Sequence, residues 1–163
     1  TPEAIAGGFS LGLFLALTPT VGVQIIIAVF LATLFKVSRP AALVSVMITN
    51  PLTIPPIFTF NYWVGRLFFD GPQVREFYGH FLGIARELAN MDIWEVGLQI
   101  RAFAEIGRDM FIPLVVGSLI VASLSAIFSY ILLARFFWFM KLHRERKKKL
   151  KETRATKNKR GIS

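Results

Sequence analysis

The chain contains no cysteine and only 10 acidic residues among 163, and both shortages limit its chemistry. The lack of cysteine excludes disulfides, thiolate metal sites and cysteine nucleophiles. No Asp or Glu lies between Ala4 and Phe69, whereas metal-cation sites, proton relays and acid–base catalysis normally need Asp, Glu or His. We therefore expect the protein to have no enzyme activity, no metal and no cofactor.

Charged residues are also missing from three long apolar spans, 4–35, 40–65 and 110–134. A helix needs about 20 apolar residues to cross the hydrocarbon core of a bilayer, and each span is long enough. Hydrophobic residues make up 54% of the chain, and its mean hydropathy is +0.56. A soluble domain of this size would carry charges every few residues. The composition therefore predicts an all-α integral membrane protein.

Two polar, proline-centred breaks interrupt the first two apolar spans. The first break contains Thr18-Pro19, and the second contains Asn50-Pro51. In each, a hydrogen-bonding side chain precedes a proline, which lacks an N–H and has a φ suited to the start of a helix. A break at membrane depth must be buried in protein or line a polar cavity, because hydrocarbon offers no water to the freed backbone groups. Each break is predicted to begin a half-helix, in a segment that is either re-entrant or kinked.

The two breaks together form the candidate site. The N-terminus of a half-helix directs free N–H groups and a positive partial charge into the protein, and transporters hold anions in this way. Polar side chains around the breaks, including Asn61, are neutral, and the nearby charges are the basic Lys36 and Arg39. An anion or a lipid headgroup is the predicted ligand. The candidate ligand-binding residues are Thr18, Pro19, Thr20, Gly22, Gln24, Thr49, Asn50, Pro51, Thr53, Pro55 and Arg66.

The same polar residues have a structural alternative. Thr, Asn and Gln side chains also satisfy the backbone at proline kinks or join helices by hydrogen bonds. The first helix is predicted to begin at the cap Thr1-Pro2 and to end near Leu17. Along it, Gly8, Gly12 and Ala16 recur every four residues. Such a small-residue face lets another backbone approach closely, so binding and packing both stay open as roles for the breaks.

The predicted organisation is one membrane domain, 1–140, followed by a basic tail, 141–163. The parts of the membrane domain are a first broken segment at 1–36, a second at 37–70, amphipathic helices at 72–109 and a transmembrane helix at 110–140. The amphipathic helices are expected to lie at the membrane surface or to cover the bundle. Their signals are an apolar helical face, which includes Phe77, Tyr78 and Phe81, and a capping-box pattern that begins at Asp92.

Small and basic residues mark the last part of the chain. A stripe of small residues on the transmembrane helix, Ser118, Ala122, Ser125 and Ser129, predicts packing against the broken helices or against another copy in a homo-oligomer. Residues 141–160 hold eleven Lys or Arg against two Glu, directly after an aromatic run that is typical of a membrane interface. This pattern predicts a cytoplasmic C-terminus and a tail that binds anionic lipid, with a topology signal alone as the alternative. No nucleic acid is expected, since aromatic residues that could stack on bases are absent from Lys141 onward.

Two topologies fit these patterns. In one, both broken segments are re-entrant hairpins and the Lys36–Arg39 loop lies outside. In the other, both are kinked spanning helices and that loop lies inside, as the positive-inside rule prefers. The first span would measure about 48 Å as a single helix, against a hydrocarbon core of about 30 Å. Length thus favours a hairpin, whereas charge favours a crossing.

The motifs of the two breaks resemble a known prokaryotic family, the integral-membrane domain of unknown function 2062. The resemblance covers roughly residues 1–140. Its motifs are the stretches 12–24, 38–42 and 49–56, the pair Gly65-Arg66 and the stretch 113–118. It implies a multi-pass protein of the bacterial inner membrane, in a family whose members occur fused or adjacent to glycosyltransferases. The resemblance supplies no activity and no catalytic residue.

Two functions are compatible with these observations. The first is binding or translocation of an amphiphilic anion, such as a phospholipid or a polyprenyl-phosphate-linked carrier, between the half-helix ends. The second is a non-catalytic membrane scaffold that recruits a partner such as a glycosyltransferase through its small-residue faces and basic tail.

Overall fold

The computed structural model describes residues 1–90 and 107–160, and all regular secondary structure in these two ranges is helical. The predicted all-α class is confirmed. The capping box predicted at Asp92 lies outside the described residues. The helices of these two ranges are α1 (Pro2–Leu17), α2 (Gln24–Leu34), α3 (Arg39–Val46), α4 (Ile54–Gly65), α5 (Val74–Ala89) and α6 (Arg108–Arg160).

The first broken segment, α1 and α2, is a hairpin. α1 begins at the predicted cap, where the Thr1 hydroxyl accepts a hydrogen bond from the N–H of Ala4, and ends at Leu17 as predicted. After α2, the chain returns to the start of α1, because the N–H of Ser38 donates to the carbonyl of Ala4 at 2.8 Å. Both ends of the segment therefore lie at the same end of the molecule.

The second broken segment begins with α3, which runs beside α1 in the same direction. A Cβ atom on Gly8 would overlap the backbone of Ser38, and one on Gly12 would overlap the carbonyl of Ala42. The predicted small-residue face of α1 thus allows the close approach of α3. Further along, the Thr49 hydroxyl donates to the carbonyl of Ala16 at 2.7 Å, at the end of both helices.

The second segment then continues through α4 in the direction of α3, and α4 does not pack along α3. α4 is antiparallel to α6, since Gly65 meets the backbone of Pro113 and Asn61 meets that of Gly117. α1 is also antiparallel to α6, since Glu3 and Trp138 line one cavity. The first segment is thus a hairpin and the second continues in one direction, so the two segments differ where both predicted topologies treated them alike.

The Lys36–Arg39 turn follows from this arrangement. It lies beside the start of α1, and therefore at the same end of the molecule as Trp138 of α6. The hairpin topology put this loop on the side opposite to the tail, and that part of it is wrong. Because α1 begins at the same end as the tail, a hairpin brings the loop back to that end.

α5 is the amphipathic helix that the sequence predicted, and it packs on α4. Phe77 and Phe81 are fully buried. The Phe77 ring stacks on Tyr62 with centroids 4.0 Å apart and on Phe81 at 4.4 Å. Tyr78, which was predicted on the buried face, is 43% exposed because it lies at the edge of that face.

α6 runs without interruption from Arg108 to Arg160. The predicted basic tail is helical as far as Arg160 and continues directly from the apolar part of the helix. Ser118, Ala122 and Ser129 of the predicted stripe are buried. Within the described residues, Arg108–His143 is the one helical stretch long and apolar enough to cross a membrane, and only 28% of its most apolar window is buried.

Candidate functional site

The candidate site is the place where the two breaks meet the last turn of α1. We call it the polar junction, and it comprises the hairpin tip (18–23), the second break (47–53) and the contact between Asn61 and Ser118. The Asn61 amide nitrogen donates to the carbonyl of Leu17 at 2.8 Å and to the hydroxyl of Ser118 at 3.0 Å. α1, α4 and α6 therefore share one hydrogen-bonded point.

The first break ends α1 and does not cap α2. Thr18 is the C-cap of α1, with extended backbone, because the residue before a proline is driven away from helical conformation. Its hydroxyl donates backward to the carbonyl of Leu15 at 2.8 Å, and the Thr20 hydroxyl lies 3.4 Å from the same carbonyl. The prediction that Thr18 caps a new half-helix is therefore wrong. A turn follows in which Gly22 has φ 91°, a conformation that favours glycine.

The second break forms a turn around Asn50 ahead of α4, and the predicted capping of that helix by Asn50 is wrong. The N-cap residue of α4 is Thr53, and no side chain caps the helix. The Asn50 side-chain oxygen accepts hydrogen bonds from the N–H groups of Leu52 at 2.9 Å and Thr53 at 3.0 Å. In return, the Thr53 hydroxyl accepts from the N–H of Asn50 at 2.9 Å. The N–H of Ile54 donates to the carbonyl of Asn50, so the turn continues into α4.

This turn leaves α4 without a free N–H at its start. Asn50 accepts from Leu52, Thr53 and Ile54, and the neighbouring prolines have no N–H to offer. The expectation that both half-helices present free donors therefore fails for α4, since the turn that precedes it uses the N–H of Ile54.

The N-terminus of α2 is different in its N–H groups, although no side chain caps either α2 or α4. The first N–H groups of a helix have no intrahelical partner, and those of Gln24, Ile25 and Ile26 have none elsewhere in the described part of the chain. Gln24 itself is 8% exposed, and its side-chain oxygen is buried without a hydrogen-bond partner among the described residues. Unpartnered N–H donors and one unpartnered side-chain oxygen, an acceptor, thus lie side by side in the first turn of α2.

The predicted site residues divide between three places. The first break and Thr49 lie at the end of α1, with Gln24 at the start of α2. Asn50, Pro51 and Thr53 form the second break, and Pro55 is buried in the first turn of α4. Arg66 is the exposed C-cap of α4, at the opposite end of that helix. Arg66 is therefore not part of the polar junction.

Sequence reasoning named Asn61 only as a nearby polar residue, yet it is the central contact. It is fully buried, and its own oxygen has no hydrogen-bond partner among the described residues. Ser118 was named only as a small residue. The signal in the sequence was an amide side chain in an otherwise apolar helix. An amide side chain is normally buried only when it is hydrogen-bonded.

Comparisons with curated proteins and with solved structures find no match. A family described as "Uncharacterized protein conserved in bacteria (DUF2062)" matches residues 1–148. The match spans both breaks and the candidate membrane span, and it confirms the resemblance drawn from the proline motifs. The chain therefore belongs to this uncharacterised bacterial family.

Proposed function

We propose that the protein is a multi-pass protein of the bacterial inner membrane that binds an amphiphilic anion, such as a phospholipid or a polyprenyl-phosphate-linked carrier, and moves it across or within the bilayer. The anionic head would bind at the first turn of α2, and its apolar chain would follow the outer face of that helix. The observation that carries the proposal is the uncapped turn at Gln24, which adjoins an apolar groove.

The electrostatics of that turn favour an anion. Its free N–H groups and the positive end of the α2 dipole attract negative charge. Leaving such N–H donors without a hydrogen-bond partner in apolar surroundings costs roughly several kcal/mol of free energy. A phosphate oxygen would accept hydrogen bonds from these N–H groups.

The groove on α2 suits the apolar part of the same ligand. It has a volume of about 620 Å³ and is lined by Ile25, Ile26, Val29, Phe30, Thr33 and Leu34. The Thr33 hydroxyl donates to the carbonyl of Val29 at 2.7 Å, so the walls offer no free donor. The groove begins beside Gln24 and runs about 14 Å along the helix.

The proposed membrane placement follows from the helix lengths. α6 crosses once, and its low burial is typical of a helix surrounded by lipid. α3 and α4, of 8 and 12 residues, add up to about 30 Å and would cross together. The hairpin would enter and leave on the tail side, which is the cytoplasmic side by its Lys and Arg content.

A scaffold remains the second candidate, and a specific observation favours it. Thr18, Thr49 and Asn61 donate to carbonyls of α1, so most polar side chains of the junction serve the fold. In this alternative, the basic tail would recruit a partner such as a glycosyltransferase, or the small-residue faces would join copies of the chain.

The substitution Gln24→Glu separates the two functions. It keeps the size of the side chain but places a carboxylate on the uncapped turn, where it repels an anion and interacts favourably with the helix dipole. At alkaline pH, which keeps the buried carboxyl ionised, we expect binding of phosphatidate to weaken about fivefold or more. Diacylglycerol with the same chains should bind as before. Native mass spectrometry of the purified protein measures both.

The matched control is Gln73→Glu, the same change at an exposed position before α5. It should leave phosphatidate binding unchanged, and both variants should keep the unfolding temperature of the parent. If Gln24→Glu folds and still binds phosphatidate as the parent does, the anion site is wrong and the scaffold is preferred.

A further inference from the structure

A separate cavity lies at the other end of α1, where that helix begins. It has a volume of about 470 Å³, and its walls are Pro2 and Glu3 from α1 with Arg135, Phe137, Trp138 and Lys141 from α6. Two cationic side chains and one anionic side chain thus share a small space. The cavity is distant from Gln24, which lies near the opposite end of α1.

The opposite charges in this cavity do not neutralise each other. No ion pair joins Glu3 to Arg135 or Lys141 in the described part of the chain. The cavity therefore offers two separated regions of charge, one negative and one positive. A ligand that carries both charges would satisfy both regions, whereas a simple anion would bring negative charge close to Glu3.

The surroundings are those of a lipid headgroup. The cavity lies at the end of the apolar part of α6, beside an aromatic run of the kind found at membrane interfaces. A second groove of about 590 Å³ shares Arg135 and Trp138 with it and continues over Leu132, Phe136 and Phe139. A headgroup in the cavity would have an apolar path for its acyl chain.

We propose that this cavity binds the headgroup of a zwitterionic phospholipid. The phosphate lies between Arg135 and Lys141, whose N–H groups donate to its oxygens, and the ammonium group lies against the carboxylate of Glu3. Charge-assisted hydrogen bonds of both signs hold the headgroup. Glu3 gives selectivity over anionic phospholipids, because a headgroup without a cation leaves this carboxylate unpaired.

The test is a competition between two lipids for the purified protein. Phosphatidylethanolamine and phosphatidylglycerol with equal chains are offered at equal concentrations, and native mass spectrometry gives the ratio of the bound species. We expect the parent to retain more phosphatidylethanolamine. Glu3→Gln should lower the ratio about two- to fivefold, the range for a partly exposed ion pair. Glu76→Gln, an equal change of charge on α5 away from the cavity, should not alter it.

A second pair of variants tests the phosphate contact. Arg135→Gln should weaken retention of both lipids, while Arg146→Gln, further along α6 and outside the cavity, should leave both unchanged. An unaltered lipid ratio in folded Glu3→Gln overturns the proposal, as does an equal shift in Glu76→Gln. If Glu3→Gln does not fold, equal retention by Arg135→Gln and Arg146→Gln overturns it.

Discussion

At the scale of single residues, three polar side chains satisfy the last three carbonyl groups of α1. Thr18 donates to Leu15, and Asn61 donates to Leu17. Thr49 donates to Ala16, between them. The end of a helix leaves its carbonyls without intrahelical partners, and burying them unpaired is costly. The polar residues of the two breaks are thus explained first by the end of α1, and only Gln24 and the first turn of α2 remain for a ligand.

Thr49→Val tests this role. The substitution keeps the shape of the side chain but leaves the buried carbonyl of Ala16 without its donor, and we expect a loss of about 1–3 kcal/mol in the free energy of unfolding. Thr33→Val is the matched control, because Thr33 also donates at 2.7 Å but to a carbonyl of its own helix. That change should cost less than about 0.5 kcal/mol. Denaturant unfolding in detergent measures both, and equal losses would contradict the assignment.

The sequence located these residues but not the direction of their hydrogen bonds. A threonine hydroxyl can accept from the helix that follows it or donate to the helix that precedes it. At Thr18, the extended backbone before Pro19 directs the hydroxyl to the preceding helix, whereas at Asn50 the side-chain oxygen closes a turn ahead of α4. The partner of Asn61 is distant in sequence, and no local pattern identifies it.

At the scale of helices, glycines allow α4 and α6 to touch through their backbones. A Cβ on Gly65 would overlap the carbonyl of Pro113, and one on Gly117 would overlap that of Asn61. Neither backbone can move away easily, because both belong to helices. The α4–α6 contact therefore fixes how far the second segment extends past the end of α1.

Gly65→Ala should disrupt this contact. We expect a loss of about 1–3 kcal/mol in the free energy of unfolding, the usual cost of overpacking. Gly79→Ala is the control within α5, where an added Cβ meets no atom within 4 Å. There, the higher helix propensity of alanine should stabilise the protein by up to about 1 kcal/mol. Thermal unfolding measures the stability of both variants. A Gly65→Ala variant as stable as the Gly79→Ala variant would refute the close contact between α4 and α6.

The helices themselves were largely predictable, and their arrangement was not. The cap at Thr1-Pro2, the end of α1 at Leu17 and the apolar face of α5 all follow from local spacing. The start of α2 at Gln24 does not, since it has no capping side chain to mark it. The basic tail of α6 was separated from its apolar part by composition, although a helix can continue through such a change.

At the scale of the whole molecule, Lys36, Arg39, Arg135 and Lys141 lie at one end, whereas Arg66 and Arg108 lie at the other. The start of α1 meets the turn at Lys36–Arg39, and it shares a cavity with Arg135 and Lys141. Gly65 and Asp109 lie at the other end. From the sequence, length favours a hairpin and charge favours a loop on the tail side, and a hairpin that returns to the tail end is compatible with both. Sequence reasoning missed this, since it had no information on which segment packs beside which.

The most direct test of this arrangement uses the absence of cysteine. Single cysteines replace Ser38, Gln73 and Thr156, and a membrane-impermeant thiol reagent is applied to intact spheroplasts and to opened membranes, with the cysteine-free parent as the blank. We predict that Gln73→Cys reacts in intact spheroplasts, whereas Ser38→Cys and Thr156→Cys react only after the membrane is opened. Labelling of Ser38→Cys from the same side as Gln73→Cys would contradict the hairpin and, with it, the placement of the α2 turn inside the bilayer.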